Sequence, residues 1–145
     1  MSMPPTLQHA ETDADVAACF GVMQQLRAHL RSPEDLVARV AVQRAQGYRL
    51  LALKDGDRPV ALAGYRLLDN LIHGRFLYVD DLIADADERG HGHGEKLIDA
   101  LREIGRREQC AQLVLDTALS NVFAQRFYFR VGLLPRGLHF SGALQ

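Results

Sequence analysis

Val16, Cys19, Phe20, Met23, Leu26 and Leu30 recur at helical spacing, so an amphipathic helix is expected near the start of the chain. Thr12 stands at its start with Asp15 three residues on, the spacing of a reciprocal cap. A short strand, Thr6 to His9, precedes it. Ser32-Pro33-Glu34-Asp35 opens a second helix, with serine at the cap, proline at the first position and acid in the first turn. Leu36, Val37 and Val40 give that helix its apolar face, and Gly47 ends it. The period then changes. Tyr48 to Lys54 and Arg58 to Leu67 read as strands joined at Asp55-Gly56, a hairpin signal. After a loop from Leu68 to Gly74 comes a third strand, Arg75 to Ala84. It is apolar on both faces (Phe76, Tyr78 and Leu82 on one, Leu77, Val79 and Ile83 on the other), as expected of a central strand.

A helical pattern returns from Glu95 to Arg107, with Leu97, Ile98, Leu101 and Ile104 on one face. Gln112 to Thr117 is the next strand, parallel to the previous one if the crossover is right-handed. Ser120-Asn121 opens a last helix whose expected buried stripe is Phe123, Phe127 and Val131, and Gly132 ends it. Leu138 to Ala143 can make a closing strand. The predicted order is β-α-α-β-β-β-α-β-α-β. That is an α/β (α+β) fold with a mixed, mostly antiparallel central sheet flanked by helices, in a single domain over residues 1–145.

Between the third strand and the helix that follows lies Arg89-Gly90-His91-Gly92-His93-Gly94. A glycine-rich turn entering a helix exposes backbone N–H groups without intrahelical partners, at the positive end of the helix dipole. Glycine also lets a bulky ligand approach the backbone. The turn therefore suits an anion, in particular a pyrophosphate; the alternative is a tight turn before a surface helix.

Composition narrows the class. The chain has 145 residues, is 48% hydrophobic and 24% charged, and carries a net charge of −1. Those values fit a soluble globular domain and argue against nucleic acid as the main partner. The two cysteines, Cys19 and Cys110, have no metal-ligand spacing, and Cys19 falls in an apolar stripe, which reads as a buried thiol. No signal peptide or membrane span is recognised, so a reducing, cytoplasmic setting is the expectation.

Asp80 and Asp81 interrupt the apolar third strand. Adjacent strand residues point to opposite faces, so both cannot simply face water. Either one of Arg66, Arg75 or His73 pairs with them, or a carboxylate there accepts a proton or holds a cationic substrate. Asn121, Ala124 and Tyr128 form a second face of the last helix, where Tyr128 is either a core aromatic or lines a packed ligand. His91 and His93 form a His-x-His pair near Asp85 and Asp87, but no third strong ligand is evident. They are read as solvent-facing, and no metal is expected. A P-loop is excluded because the turn ends Gly94-Glu95-Lys96-Leu97, without Lys-Ser/Thr after the glycine. A dinucleotide fingerprint fails because its third glycine would be Leu97.

The loop Arg89 to Gly94 resembles the Arg/Gln-x-x-Gly-x-Gly/Ala loop of the GCN5-related N-acetyltransferases (GNAT). Asn121-x-x-Ala124-x-x-Phe127-Tyr128-x-x-x-Gly132-Leu133 resembles that family's second signature, with Leu133 in place of the usual phenylalanine. The element order is also similar, so the resemblance spans nearly the whole chain. It implies acetyl-coenzyme A as donor and a primary amine as acceptor, with a possible homodimer. By the same resemblance, the backbone of His91, Gly92, His93 and Gly94, next to Arg89 and Gly90, would cradle the pyrophosphate. Backbone groups of Leu82, Ile83 and Ala84 would pair with the pantetheine arm, and Asn121 would contact it. Tyr128 would protonate the leaving thiolate, Asp80 or Asp81 would serve as base, and a strand N–H would stabilise the oxyanion. Val79-Asp80-Asp81-Leu82 also resembles the Glu-Asp-Leu/Phe segment of polyamine acetyltransferases, where the first acid is the base. Here that acid is an aspartate, one methylene shorter, which favours a bridging water. Asp85, Asp87 and Glu88 crowd acid near the loop, a field that Arg89, Arg126 or Arg130 would offset. A protein or peptide acceptor, or a non-catalytic acyl-coenzyme A sensor, are the alternatives.

Overall fold

The structure is a computed structural model that describes residues 3–145. The described residues divide into two compact units, one up to Val114 and one from Leu115 to Gln145.

In the first unit, β1 (Thr6–His9) leads into α1 (Asp13–Ala18), α2 (Phe20–Leu26) and α3 (Pro33–Arg44). The expected first helix is thus two. At the break Cys19 N–H bonds to Val16 O in a tightened turn, while the Cys19 thiol donates to Asp15 O. The caps are as predicted. Thr12 and Asp15 bond reciprocally, and Ser32 accepts from Asp35 N–H with Pro33 at the first helical position. Next come β2 (Arg49–Asp55), β3 (Arg58–Asn70) and β4 (Gly74–Ala84) as an antiparallel meander. β3 runs three residues beyond the expected Leu67, because Asn70 Oδ1 accepts from Ile72 and His73 N–H and tightens the turn. A 3-10 turn (Ala86–Glu88) and α4 (His93–Arg107) follow, then β5 (Gln112–Leu115), which stops short of the expected Thr117. The sheet order is β1-β2-β3-β4-β5. Ala111 N–H bonds to Arg75 O, so β4 and β5 begin side by side, as a parallel pair does.

Both faces of the sheet are covered. Leu50, Ala52 and Leu62 join Val16, Cys19, Met23, Leu36 and Val40 in one buried cluster beneath α1 to α3. Leu77 pairs with Leu67, whose side chain is on the opposite face from Leu62 by strand parity, and there it meets Gly105 of α4. Leu97, Ile98, Leu101 and Ile104 of α4 are buried as predicted. Burying those four side chains is worth on the order of 6–12 kcal/mol before entropy, an upper estimate.

The second unit holds the end of β5 and α5 (Val122–Arg130). The expected buried stripe of α5 is not observed: Phe123 is 81% exposed and no residue of the helix is buried. Gly132 ends it at φ +89°, with Leu133 N–H bonded to Tyr128 O. Leu138 to Ala143 forms no strand. A strand needs a neighbour for its N–H and C=O groups, and the alternation of this segment brings none; Leu138 and Phe140 remain exposed.

Candidate active site

Gly90 and Gly92 both take left-handed backbone, at φ +86° and +76°. That conformation suits glycine, and it carries the chain from the 3-10 turn into α4. Gly92 is the N-cap of α4 and has no side chain to cap with. The contrast is informative. Helices α1, α3 and α5 are each capped by a side chain, from Thr12, Ser32 and Asn121, while the short α2, which continues directly from α1, is not. The 15-residue α4 offers its first-turn amides uncapped. A Cβ placed at Gly90 or Gly92 would meet nothing within 4 Å, so open space lies before the turn. Uncapped helix-start amides facing open space have the chemistry to receive an anion.

The acidic field expected around the loop is offset by a residue that sequence reasoning missed. Arg58 of β3 lies 3.7 Å from Asp85 Oδ2 and 3.7 Å from Glu88 Oε1. Gln25 of α2 donates to Asp85 Oδ1 and accepts from Ala86 N–H, tying the end of β4 to α2. The Asp87 amide, then Gln25, hold the Asp85 carboxyl below the usual carboxylate range.

β4 changes character along its length. Phe76, Leu77 and Val79 are buried, whereas Asp80 to Ala84 are all only half-buried. Leu82, Ile83 and Ala84 pair with Ala63, Leu62 and Ala61 on the β3 side. A four-residue β5 that begins beside Arg75 cannot cover an eleven-residue β4. The far half of β4 therefore keeps one edge without a strand partner among the described residues.

A β-bulge corrects the expectation that Asp80 and Asp81 point to opposite faces. Gly64 pairs with Asp81 and Tyr65 with Val79, leaving Asp80 as the extra residue. Alternation fails there, and each carboxylate finds its own arginine. Asp80 is held by both Nε and Nη2 of Arg66, at 2.9 and 2.8 Å. This is one of the pairings the sequence allowed, and Arg66 also lies over the Tyr78 ring. Asp81 Oδ1 accepts from Arg27 Nε at 2.9 Å, and its Oδ2 accepts from the Tyr48 hydroxyl at 2.8 Å. Arg27 also donates to Asp80 O. Tyr48 reaches Asp81 by crossing Gly64; an added Cβ there would overlap its ring and hydroxyl. Burial, and then the Asp81 charge, push the Tyr48 hydroxyl far above its ordinary pKa, so it stays protonated and donates to Asp81. Tyr48, Arg27 and Gly64 lie 33, 54 and 17 positions before Asp81, and no local motif signals them.

Asp81 also borders a cavity of about 360 Å³, walled by Met23, Leu30, Leu36, Val40, Tyr48 and Arg27. In the second unit, Asn121 Oδ1 caps α5 through Ala124 N–H, leaving its amide N–H groups for other use. Tyr128 is half-buried with its ring edge-on to Phe127, and burial raises its hydroxyl pKa. His91 is exposed as expected, but His93 is buried at 6% exposure, contrary to expectation: as the first residue of α4 it turns inward above Leu97.

The sequence model of the acetyltransferase (GNAT) family matches residues 14–133. An uncharacterised N-acetyltransferase, YhdJ of Bacillus subtilis strain 168, is 28% identical over 112 residues, 77% of this chain and 79% of that protein. A Trypanosoma brucei acetyltransferase has a similar structure, with a TM-score of 0.77 and 21% identity over 97% of this chain and 99% of that one. So has AAC(6')-Iy in complex with a bisubstrate analogue, CoA-S-monomethyl-acetylneamine, with a TM-score of 0.82 and 13% identity over 99% of each chain. The family model covers most of the chain, so the chain belongs to the GNAT family and is an acetyl-coenzyme A-dependent acyltransferase.

Proposed function

We propose that the chain acetylates a primary amine of a small molecule, by direct attack within a ternary complex. The uncapped turn at Gly90 and Gly92 carries this reading, because it offers helix-start amides to a diphosphate with open space before them. Bound acetyl-coenzyme A supplies a thioester carbonyl as electrophile and a thiolate as leaving group. The backbone amides of His91 to Gly94 hold its pyrophosphate, and the free edge of Leu82 to Ala84 pairs with the pantetheine arm. The cavity beside Asp81, about 360 Å³, is in the range of small-ligand sites, which favours a small acceptor over a polypeptide. The bisubstrate complex of the structurally similar AAC(6')-Iy is consistent with that choice.

An amine is mostly protonated at neutral pH and must lose a proton before attack. Asp81 is the base in this reading. Asp80 and Asp81 each accept two bonds, one on each oxygen, but Asp81 is the one that borders the cavity. A water bridges Asp81 to the amine. The bulge at Asp80 takes one amide out of the ladder, a donor for the oxyanion. The resemblance of the last helix to the family's second signature gives Tyr128, kept protonated by burial, the role of proton donor to the thiolate.

Calorimetric titration with acetyl-coenzyme A, followed by thiol release over polyamines, aminoglycosides, amino acids and peptides, tests the proposal. Binding with thiol release on a small amine is the expected outcome. Release on peptides alone overturns the acceptor class, and binding without release on any amine makes the chain a sensor.

A further inference from the structure

Glu88, His91 and His93 bring three ligand atoms within 4.8 Å of one another at the glycine turn. Glu88 is the third donor that the sequence did not reveal. The 3-10 turn places it so that Oε2 lies 3.7 Å from His91 Nδ1 and Oε1 lies 3.5 Å from His93 Nε2. His93 makes the cluster unusual. Its ring is 94% buried, and among the described residues neither ring nitrogen has a hydrogen-bond partner. A buried, unpartnered imidazole calls for an occupant, because desolvating its nitrogens without compensation is unfavourable. An apolar side chain would fill the same place without that cost.

The neighbouring groups decide the occupant's charge. Glu88 is mostly buried between the two imidazoles, with its side chain 19% exposed. Between the two imidazoles that carboxylate attracts a cation. Two imidazoles and one carboxylate are the donor set of zinc-class ions rather than of magnesium or calcium, which prefer oxygen. We propose that Glu88, His91 and His93 bind one divalent transition-metal ion of the zinc class, with water completing the coordination.

Donors at about 2.0–2.2 Å from a tetrahedral ion stand roughly 3.3–3.5 Å apart. Glu88 meets the two imidazoles through different oxygens, at 3.7 and 3.5 Å, and no two of the three ligand atoms stand more than 4.8 Å apart, so the set closes onto an ion by about 1.5 Å at most. His91 is exposed and sits between Gly90 and Gly92, so it can move. Arg58, 3.7 Å from Glu88 Oε1, competes for one carboxylate oxygen and weakens the site without filling it.

The test uses untagged, chelator-stripped protein without coenzyme or amine, so its outcome is independent of the acetyl-transfer reading. Zinc is titrated calorimetrically, and cobalt(II) binding is followed by its visible absorbance, which reports four-coordinate nitrogen and oxygen ligation. One ion per chain with micromolar affinity is expected. His91→Ala and Glu88→Gln should each weaken binding by at least about tenfold, since even outer-shell changes at metal sites cost that much. His93→Leu should abolish binding and raise the melting temperature of the metal-free protein. His91 is exposed, so His91→Ala remains a test if His93→Leu does not fold. No binding at millimolar zinc, or binding unchanged in both His91→Ala and Glu88→Gln, overturns the site and assigns any heat to other histidines.

Discussion

Asp81 owes its setting to one absent side chain. Tyr48 reaches Oδ2 only because residue 64 is a glycine on the partner strand, directly across the bulge. Gly64→Ala is expected to force Tyr48 off its bond and to destabilise the fold by about 1–3 kcal/mol, as overpacking does. Urea unfolding measures this, and an unchanged midpoint would mean that Tyr48 does not cross there. For the chemistry, Tyr128→Phe should lower kcat by roughly 10- to 100-fold while acetyl-coenzyme A still binds. Steady-state kinetics beside a binding titration separate the two, and an unchanged kcat removes Tyr128 from the proton path. These residue-scale features were unevenly legible. The two aspartates announced themselves as charges in an apolar strand, and Arg66 was among their foreseen partners. Arg27 and Tyr48 were invisible, because nothing local links residues 54 and 33 positions away.

At the scale of elements, the glycine turn and α4 act together. The helix is held by its buried stripe and not by its N-terminus, so its first amides can serve a ligand. Gly92→Val should abolish acetyl-coenzyme A binding. The Cβ would project into the open space before the turn, and a β-branched residue at φ +76° is strained by more than the about 1–2 kcal/mol typical of left-handed backbone. Normal affinity in calorimetry would contradict the cradle. Local chemistry made these elements readable: caps, hairpin dipeptide and helical stripe all carry their signal within a few residues. The expected strand over Leu138 to Ala143 failed for the opposite reason, since alternation states which face is apolar but not whether a neighbouring edge exists.

For the molecule as a whole, protonation ties stability to pH through the first unit. His9 Nε2 lies 2.7 Å from the Tyr65 hydroxyl. Burial first, and then Arg49, lower the imidazole pKa below its ordinary value. The unfolded chain therefore binds the proton more readily, and stability present above about pH 6.5 is lost as pH falls through the lower folded value. The melting temperature of the native chain should drop further between about pH 7 and pH 5 than that of His9→Gln. Equal drops in differential scanning fluorimetry would discount His9. Burial also pushes the Cys19 thiol up to about 11, so alkylation at neutral pH should fall on Cys110 before Cys19.

The sequence by itself determined the order of most elements, the capped helix starts, the glycine turn and its kinship. Each of these is written in short-range spacing, and short-range spacing is what backbone geometry constrains. Only the tertiary structure decided the bulge that frees Asp80 from alternation, the arginine given to each aspartate, the offset of Glu88 by Arg58 and the inward turn of His93. These depend on packing between segments far apart in the chain. Which side chains are buried together is fixed by the sum of many contacts, and no single local pattern carries that sum.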